Sequence, residues 1–177
     1  MATPFPTFTY HPDPLATGSI VPSEKTCGCC GAARGYVYCK VPYGVDGTES
    51  ICPWCIADGS ASERLGAVFV DVGALTGEGV DPRTIDEIES RAPGYESWQQ
   101  ETRLACCGDA CEFHGDASAA DLEALGDRER ARIADELGMS GETLSGLIAG
   151  YEPKGSPAIY RFRCRRCGTD RFAWDAC

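Results

Sequence analysis

The residues most able to do chemistry in this chain are four cysteines in two Cys-x-x-Cys hooks, Cys27-Gly-Cys-Cys30 and Cys52-Pro-Trp-Cys55. In such a hook the backbone amides of the intervening residues turn toward the sulfurs. A glycine directly after the second cysteine, as Gly31 is here, suits the tight turn. Cys27, Cys30, Cys52 and Cys55 together offer four thiolates in a tetrahedral array, which suits Zn²⁺ and leaves no coordination position open to a substrate. A site closed in this way is structural. The 21 residues between Cys30 and Cys52 slightly exceed the usual zinc-ribbon spacing, so a longer hairpin is expected between the hooks. Cys29, inside the first hook, is a competing sulfur.

A second set lies further on. Cys107 and Cys111 form one half and the hook Cys164-Arg-Arg-Cys167, followed by Gly168, forms the other, with 52 residues between them. A zinc ion here would clip the C-terminal strands onto the segment leading into the cluster. Cys106 and His114 are alternative ligands. Each zinc-bound Cys₄ set carries a charge near −2. The arginines around the last hook, Arg161, Arg163, Arg165, Arg166 and Arg171, are read as neutralising the thiolates and pairing with acidic helices. The competing reading makes them a phosphate-binding patch. A redox role for Cys52-Pro-Trp-Cys55 would need a βαβ setting of the thioredoxin type, and no parallel βαβ pattern is visible.

The elements that must position these cysteines are short, as 21 glycines and 11 prolines suggest. Residues 1–26, with Phe5, Phe8, Tyr10 and His11, read as an extended arm laid over a surface. Gly35–Cys39 and Ser50-Ile51 read as strands flanking a turn, giving a zinc ribbon over 24–57. Residues 58–94 hold a connecting strand at Ala67–Val70 and a helix that starts at Asp81-Pro82, aspartate as N-cap and proline at the first helical position. Residues 95–177 form the second zinc module, with strand alternation over Trp98–Cys106 and a helical insertion over 118–151. Strands return at Ile159–Arg163 and around Phe172 and Trp174. The expected fold is α+β, one compact unit over 1–177, with small antiparallel zinc-ribbon-like sheets stapled by two Cys₄ sites.

The segment Ile133–Leu147 has the small residue, turn glycine and apolar positions of a helix-turn-helix, at Ala134, Gly138, Leu144 and Leu147. Its second helix would carry Glu142 and no Arg or Lys, so it reads as an αα-corner used for packing. Over 177 residues the formal net charge is −11, which repels phosphate backbones and suits a basic protein partner. The N-terminus has neither the basic nor the apolar stretch of a secretory signal, and no segment is long enough to span a bilayer. Twelve cysteines then point to a reducing compartment, and the expectation is a cytoplasmic protein. With His11 and His114 as the only histidines and no phosphate-binding glycine loop, no catalytic centre is expected.

The hooks, Cys52-Pro-Trp-Cys-Ile-Ala-Asp-Gly59, Pro93-Gly-Tyr95, Trp98-Gln-Gln-Glu101, Cys107-Gly-Asp-Ala-Cys111, Tyr10-His-Pro-Asp-Pro14 and Thr17-Gly-Ser-Ile20 together resemble the CbrC family, small bacterial proteins noted for three Cys-x-x-Cys motifs. The resemblance covers nearly the whole chain, with residues 118–157 matching least. It implies Cys27, Cys30, Cys52, Cys55, Cys107, Cys111, Cys164 and Cys167 as ligands, with Cys29, Cys39, Cys106 and Cys177 outside the pattern. It also implies an association with tolerance to colicins, and with immunity to secreted toxins, without enzymatic activity. A zinc-stapled interaction protein is the leading expectation. A zinc-ribbon nucleic-acid regulator using the arginines near Cys164–Cys167 is the alternative, and a thiol redox protein is third.

Overall fold

The computed structural model describes residues 4–45 and 50–175. The N-terminal part is built on a two-stranded antiparallel ladder, β1 (Ile20–Pro22) and β2 (Tyr36–Tyr38), in the register Ile20↔Tyr38 and Pro22↔Tyr36. Three helices follow, α1 (Pro53–Ala57), α2 (Ser60–Leu65) and α3 (Pro82–Arg91). They enclose a core of Ile20, Ile51, Ile56, Phe69, Leu75 and Ile88, all essentially solvent-free. Helix α3 starts where its sequence demands: the Asp81 carboxylate accepts from Arg83 N at 2.8 Å and Pro82 fills the first turn.

The C-terminal part is a four-stranded antiparallel sheet in the order β3-β4-β5-β6. Its strands are β3 (Ala105–Cys106), β4 (Asp109–Asp116), β5 (Ala158–Cys164) and β6 (Asp170–Asp175). Helices α4 (Ala119–Glu123), α5 (Asp127–Glu136) and α6 (Gly141–Ala149) lie between β4 and β5 in the chain. Strand alternation divides the two faces. Ile159 and Phe172 pack against Leu122, Ile133, Leu144 and Ile148 of the helices, while Phe113, Tyr160 and Phe162 pack with Tyr95 on the other side. The segment over 133–147 is therefore an αα-corner seated on the sheet through its apolar residues.

The N-terminal arm ties the two parts together. Phe8, Tyr10 and His11 are buried, and Phe113 N of β4 donates to Tyr10 O at 3.0 Å, so the arm covers backbone that a bare sheet would leave unpaired. Beneath it lies Arg103, 1% exposed, donating to Tyr10 O and Pro93 O at 3.2 Å each and lying over the rings of Tyr95 and Phe113. His11 bridges Pro93 O (2.8 Å) and Thr17 Oγ1 (2.7 Å), and burial with Arg103 nearby lowers its pKa to about 3, so the ring is neutral.

Three expected elements differ. Among the described residues, the segments flanking the turn between the first two hooks share one backbone hydrogen bond, Tyr38 N→Ile51 O at 2.8 Å, rather than a ladder: β2 pairs with β1, which precedes the first hook, and the second hook opens helix α1 instead of ending a strand. Pro53 at the first helical position favours that start, with Cys52 extended at φ −81°, ψ 151° as its N-cap. Ala67–Val70 contributes only a single bridge, Tyr43↔Val68. The alternation over Trp98–Cys106 is strand only at its last two residues, because side chains hold the rest of that backbone. Trp98 N and Gln99 N donate to the Asp175 carboxylate at 2.6 and 3.1 Å, and Thr102 N donates to Tyr95 Oη at 3.0 Å. Strand β4, hidden in the sequence by its charged residues, is the longest in the sheet.

Candidate metal centres

The first quartet assembles as spaced. The sulfurs of Cys27, Cys30, Cys52 and Cys55 all lie within 4.8 Å of one another, with Cys27–Cys55 and Cys30–Cys52 at 3.9 Å each. The first hook closes on itself through Gly31 N→Cys27 O at 2.8 Å, and Gly31 sits at φ 70°, in the left-handed region that glycine enters without strain. Cys52 N donates to Cys27 Sγ at 3.3 Å. Burial pushes the Cys27 thiol up, but backbone N–H groups of Cys52, Cys30 and Cys29 outweigh it and hold the thiol at about 7. Burial pushes Cys52 up to about 11 and raises Cys55 as well. Cys27, Cys52 and Cys55 are buried and Cys30 is half-buried. Phe5 and Trp54 meet edge to face against the same core, with Trp54 Nε1 donating to Pro4 O at 2.8 Å. Cys29 turns aside, 3.6 Å from Ser60 Oγ.

The second quartet is Cys106, Cys107, Cys164 and Cys167, again all within 4.8 Å. The Cys106 sulfur stands 3.8 Å from Cys107 and 3.9 Å from Cys167. Cys111, expected here, belongs to no such group among the described residues. It is fully buried in β4 opposite Cys164 of β5, in the cluster that holds Phe113 and Phe162, and burial pushes its thiol up to about 12. The reason is local geometry. Cys107 (φ 55°) and Gly108 (φ 69°) form the two-residue connection between β3 and β4, where both positions need positive φ. That turn sets two adjacent sulfurs side by side, while Cys111, opposite Cys164 in the β4–β5 ladder, stays fully buried beside Phe113 and Phe162. His114 pairs with Glu112 at 3.2 Å and is also outside the group.

The far half repeats the first hook: Gly168 N→Cys164 O is 2.9 Å and Gly168 has φ 72°. Thr169, through its hydroxyl 3.3 Å away and its backbone N–H, lowers the Cys167 thiol to about 6. Burial and neighbouring sulfurs push Cys106 up to about 12. Four sulfurs this close ionise together only when a cation shares them, so the donor set of each quartet fits a thiophilic metal ion. Of the five arginines around the last hook, Arg161, Arg163, Arg165 and Arg166 are engaged with carboxylates. Arg165 pairs with Asp109 and Glu112 at 3.6 Å each, Arg166 with Asp109 at 3.8 Å, Arg161 with Asp121 at 3.1 Å and Asp170 at 3.4 Å, and Arg163 with Asp170 at 3.9 Å.

A cleft of about 730 Å³ lies away from both quartets, floored by Tyr95, Phe113 and Tyr160 and bounded by Lys40, Tyr43, Trp98, Glu96, Asp116 and Lys154. Among the described residues the exposed large hydrophobic side chains are Leu15, Val41, Tyr43 and Trp98, and two of these four border the cleft. Nothing in the spacing of Trp98 or Tyr43 marks them in the sequence as neighbours across a cleft.

Comparison with known proteins gives a family. Residues 5–176 match the model of "Uncharacterised protein family (UPF0167)". UPF0167 protein PA1536 of Pseudomonas aeruginosa is 47% identical over 177 residues, 99% of each chain. UPF0167 protein Mb2317 of Mycobacterium bovis and UPF0167 protein MT2352 of Mycobacterium tuberculosis are each 38% identical over 166 residues, 92% of this chain and 89% of theirs. No solved structure matches the chain. By that near-complete match, this chain belongs to the UPF0167 family.

Proposed function

We propose that the chain is a non-enzymatic interaction protein held together by two structural Zn²⁺ ions, with Cys27, Cys30, Cys52 and Cys55 on one and Cys106, Cys107, Cys164 and Cys167 on the other. The observation that carries this reading is that each quartet supplies four sulfurs. A zinc ion with four protein ligands has no position left for water or substrate, so it serves as a staple. The ion adds folding free energy on the order of 10 kcal/mol and does no chemistry on a partner.

Recognition then falls to the surface. The aromatic cleft with its exposed Trp98 offers apolar contact, and the net charge of −11 favours a basic partner. The resemblance to the CbrC family points to toxin tolerance as the setting, and many secreted toxins are basic nucleases. Metal analysis of the purified chain is expected to give two zinc per chain. Capture of basic toxin domains, such as colicin nuclease domains, is expected at low salt and weakened by Trp98→Ala. Failure to capture any of them would count against the interaction reading. The nucleic-acid alternative draws less support, since Arg161, Arg163, Arg165 and Arg166 all have carboxylate partners.

A further inference from the structure

The two quartets differ in access. In the first, Cys27, Cys52 and Cys55 are buried within the N-terminal core and Cys30 is half-buried; in the second, Cys107 and Cys167 are both exposed, Cys106 is half-buried and only Cys164 is enclosed. We propose that the second quartet is a site of reversible thiol oxidation, in which a peroxide joins Cys167 to the Cys106-Cys107 turn and releases one zinc ion while the first quartet keeps its own. This rests on the reading of both quartets as zinc sites.

The geometry supplies each step. Cys167 is exposed at the end of the hook, with the Thr169 hydroxyl 3.3 Å from its sulfur. Its thiolate attacks one oxygen of the peroxide; the O–O bond breaks, a sulfenic acid forms on Cys167, and hydroxide (or an alkoxide) leaves. A second thiolate from the turn, with Cys106 Sγ 3.9 Å away and Cys107 within 4.8 Å, attacks the sulfenic sulfur. The S–O bond breaks and hydroxide leaves as the S–S bond forms. Two electrons pass from the two sulfurs to the peroxide, and two protons from solvent convert the leaving groups to water (or water and an alcohol). The metal keeps two of its four sulfurs, which do not retain it. Strands β4, β5 and β6 stay paired by their own backbone hydrogen bonds, so the chain stays folded and a thiol reductant with zinc restores the site.

The experiment treats the zinc-loaded full chain with hydrogen peroxide and follows zinc release with a chromogenic chelator, alongside tryptic mapping. The cleavage sites separate the sulfurs: Cys106, Cys107 and Cys111 fall on Leu104–Arg128, Cys167 on Cys167–Arg171, and the first quartet on Thr26–Arg34 and Val41–Arg64. One zinc equivalent is expected in solution, one retained, with Cys167–Arg171 cross-linked to Leu104–Arg128 and both changes reversed by dithiothreitol plus zinc. Release of both ions together, no release, oxidation mapped first to Thr26–Arg34 or Val41–Arg64, or Cys167 recovered only as sulfinic acid would each overturn the proposal. Fewer than two zinc before oxidant would instead defeat the zinc reading beneath it, a result the initial metal analysis separates from the others.

Discussion

The two cysteine quartets share one hook and differ in everything around it. Cys27–Gly31 and Cys164–Gly168 have the same closing hydrogen bond, within 0.1 Å, and the same left-handed glycine. The first hook meets a helix start, Cys52-Pro53, inside a core where the two-stranded ladder has only three residue pairs. The second meets a hairpin turn at the end of a sheet in which β5 is paired along its length. On the zinc reading, identical local chemistry would bear unequal structural weight: where secondary structure is sparse, a metal ion would substitute for it, and where strands already hold each other, it would only pin two turns.

The largest expected effect tests that weight directly. Cys52→Ser should lose one zinc and the cooperative folding of the N-terminal part, since about 10 kcal/mol of metal binding is comparable with a domain's whole margin of about 5–15 kcal/mol. Thermal unfolding followed by circular dichroism, beside metal content, checks it; a variant melting like the parent would collapse the contrast. Cys164→Ser should also lose one zinc, yet leave β5 and β6 protected from hydrogen exchange. Its cost should be a few kcal/mol, smaller than for Cys52→Ser. If exchange protection of the sheet vanishes, the second staple is as essential as the first.

A third prediction concerns the buried link between the two parts. The folded pKa of His11, about 3, lies below its unfolded value of 6.5, so the unfolded chain binds the extra proton first. This contribution to stability is present above pH 6.5 and is lost as pH falls toward about 3. Between pH 6.5 and 5 the loss should be on the order of 2 kcal/mol. Urea midpoints across that window should fall less steeply for His11→Gln than for the parent. Smaller still, Cys111→Ala should keep both zinc ions and cost about 1 kcal/mol for the lost buried sulfur. Loss of a zinc ion in that variant would return Cys111 to the second quartet. Last, Arg166→Ala, at the long exposed contact to Asp109, should shift stability by less than about 0.5 kcal/mol in the same urea titration.

Much of this was legible in the residues. Hook spacing marked the four sulfurs that assemble as the first quartet, because i and i+3 cysteines in a tight turn face one way whatever surrounds them. The Asp81-Pro82 start of α3 and the alternation of β5 and β6 were also readable, since capping and strand period are local properties. The choice between Cys106 and Cys111 was not. Both Cys-Cys and Cys-x-x-x-Cys spacings can supply two ligands. Only the pairing of β3 with β4 sets the turn at Cys107-Gly108 and sends Cys111 into the aromatic cluster. The partner of β2 was not legible for a related reason: a strand such as Tyr36–Tyr38 carries no record of which segment it will find, and among the described residues its ladder is with β1, with one hydrogen bond from Tyr38 N to Ile51 O.

By itself, then, the sequence determined which residue types gather and what charge the surface carries, because thiol chemistry, hook turns and composition act over a few residues. Tertiary structure alone decided which sulfur completes the second quartet, which quartet is shielded, and that Trp98 and Tyr43 border one cleft. Those outcomes depend on strands and arms distant in the chain packing together, and burial is a property that packing creates.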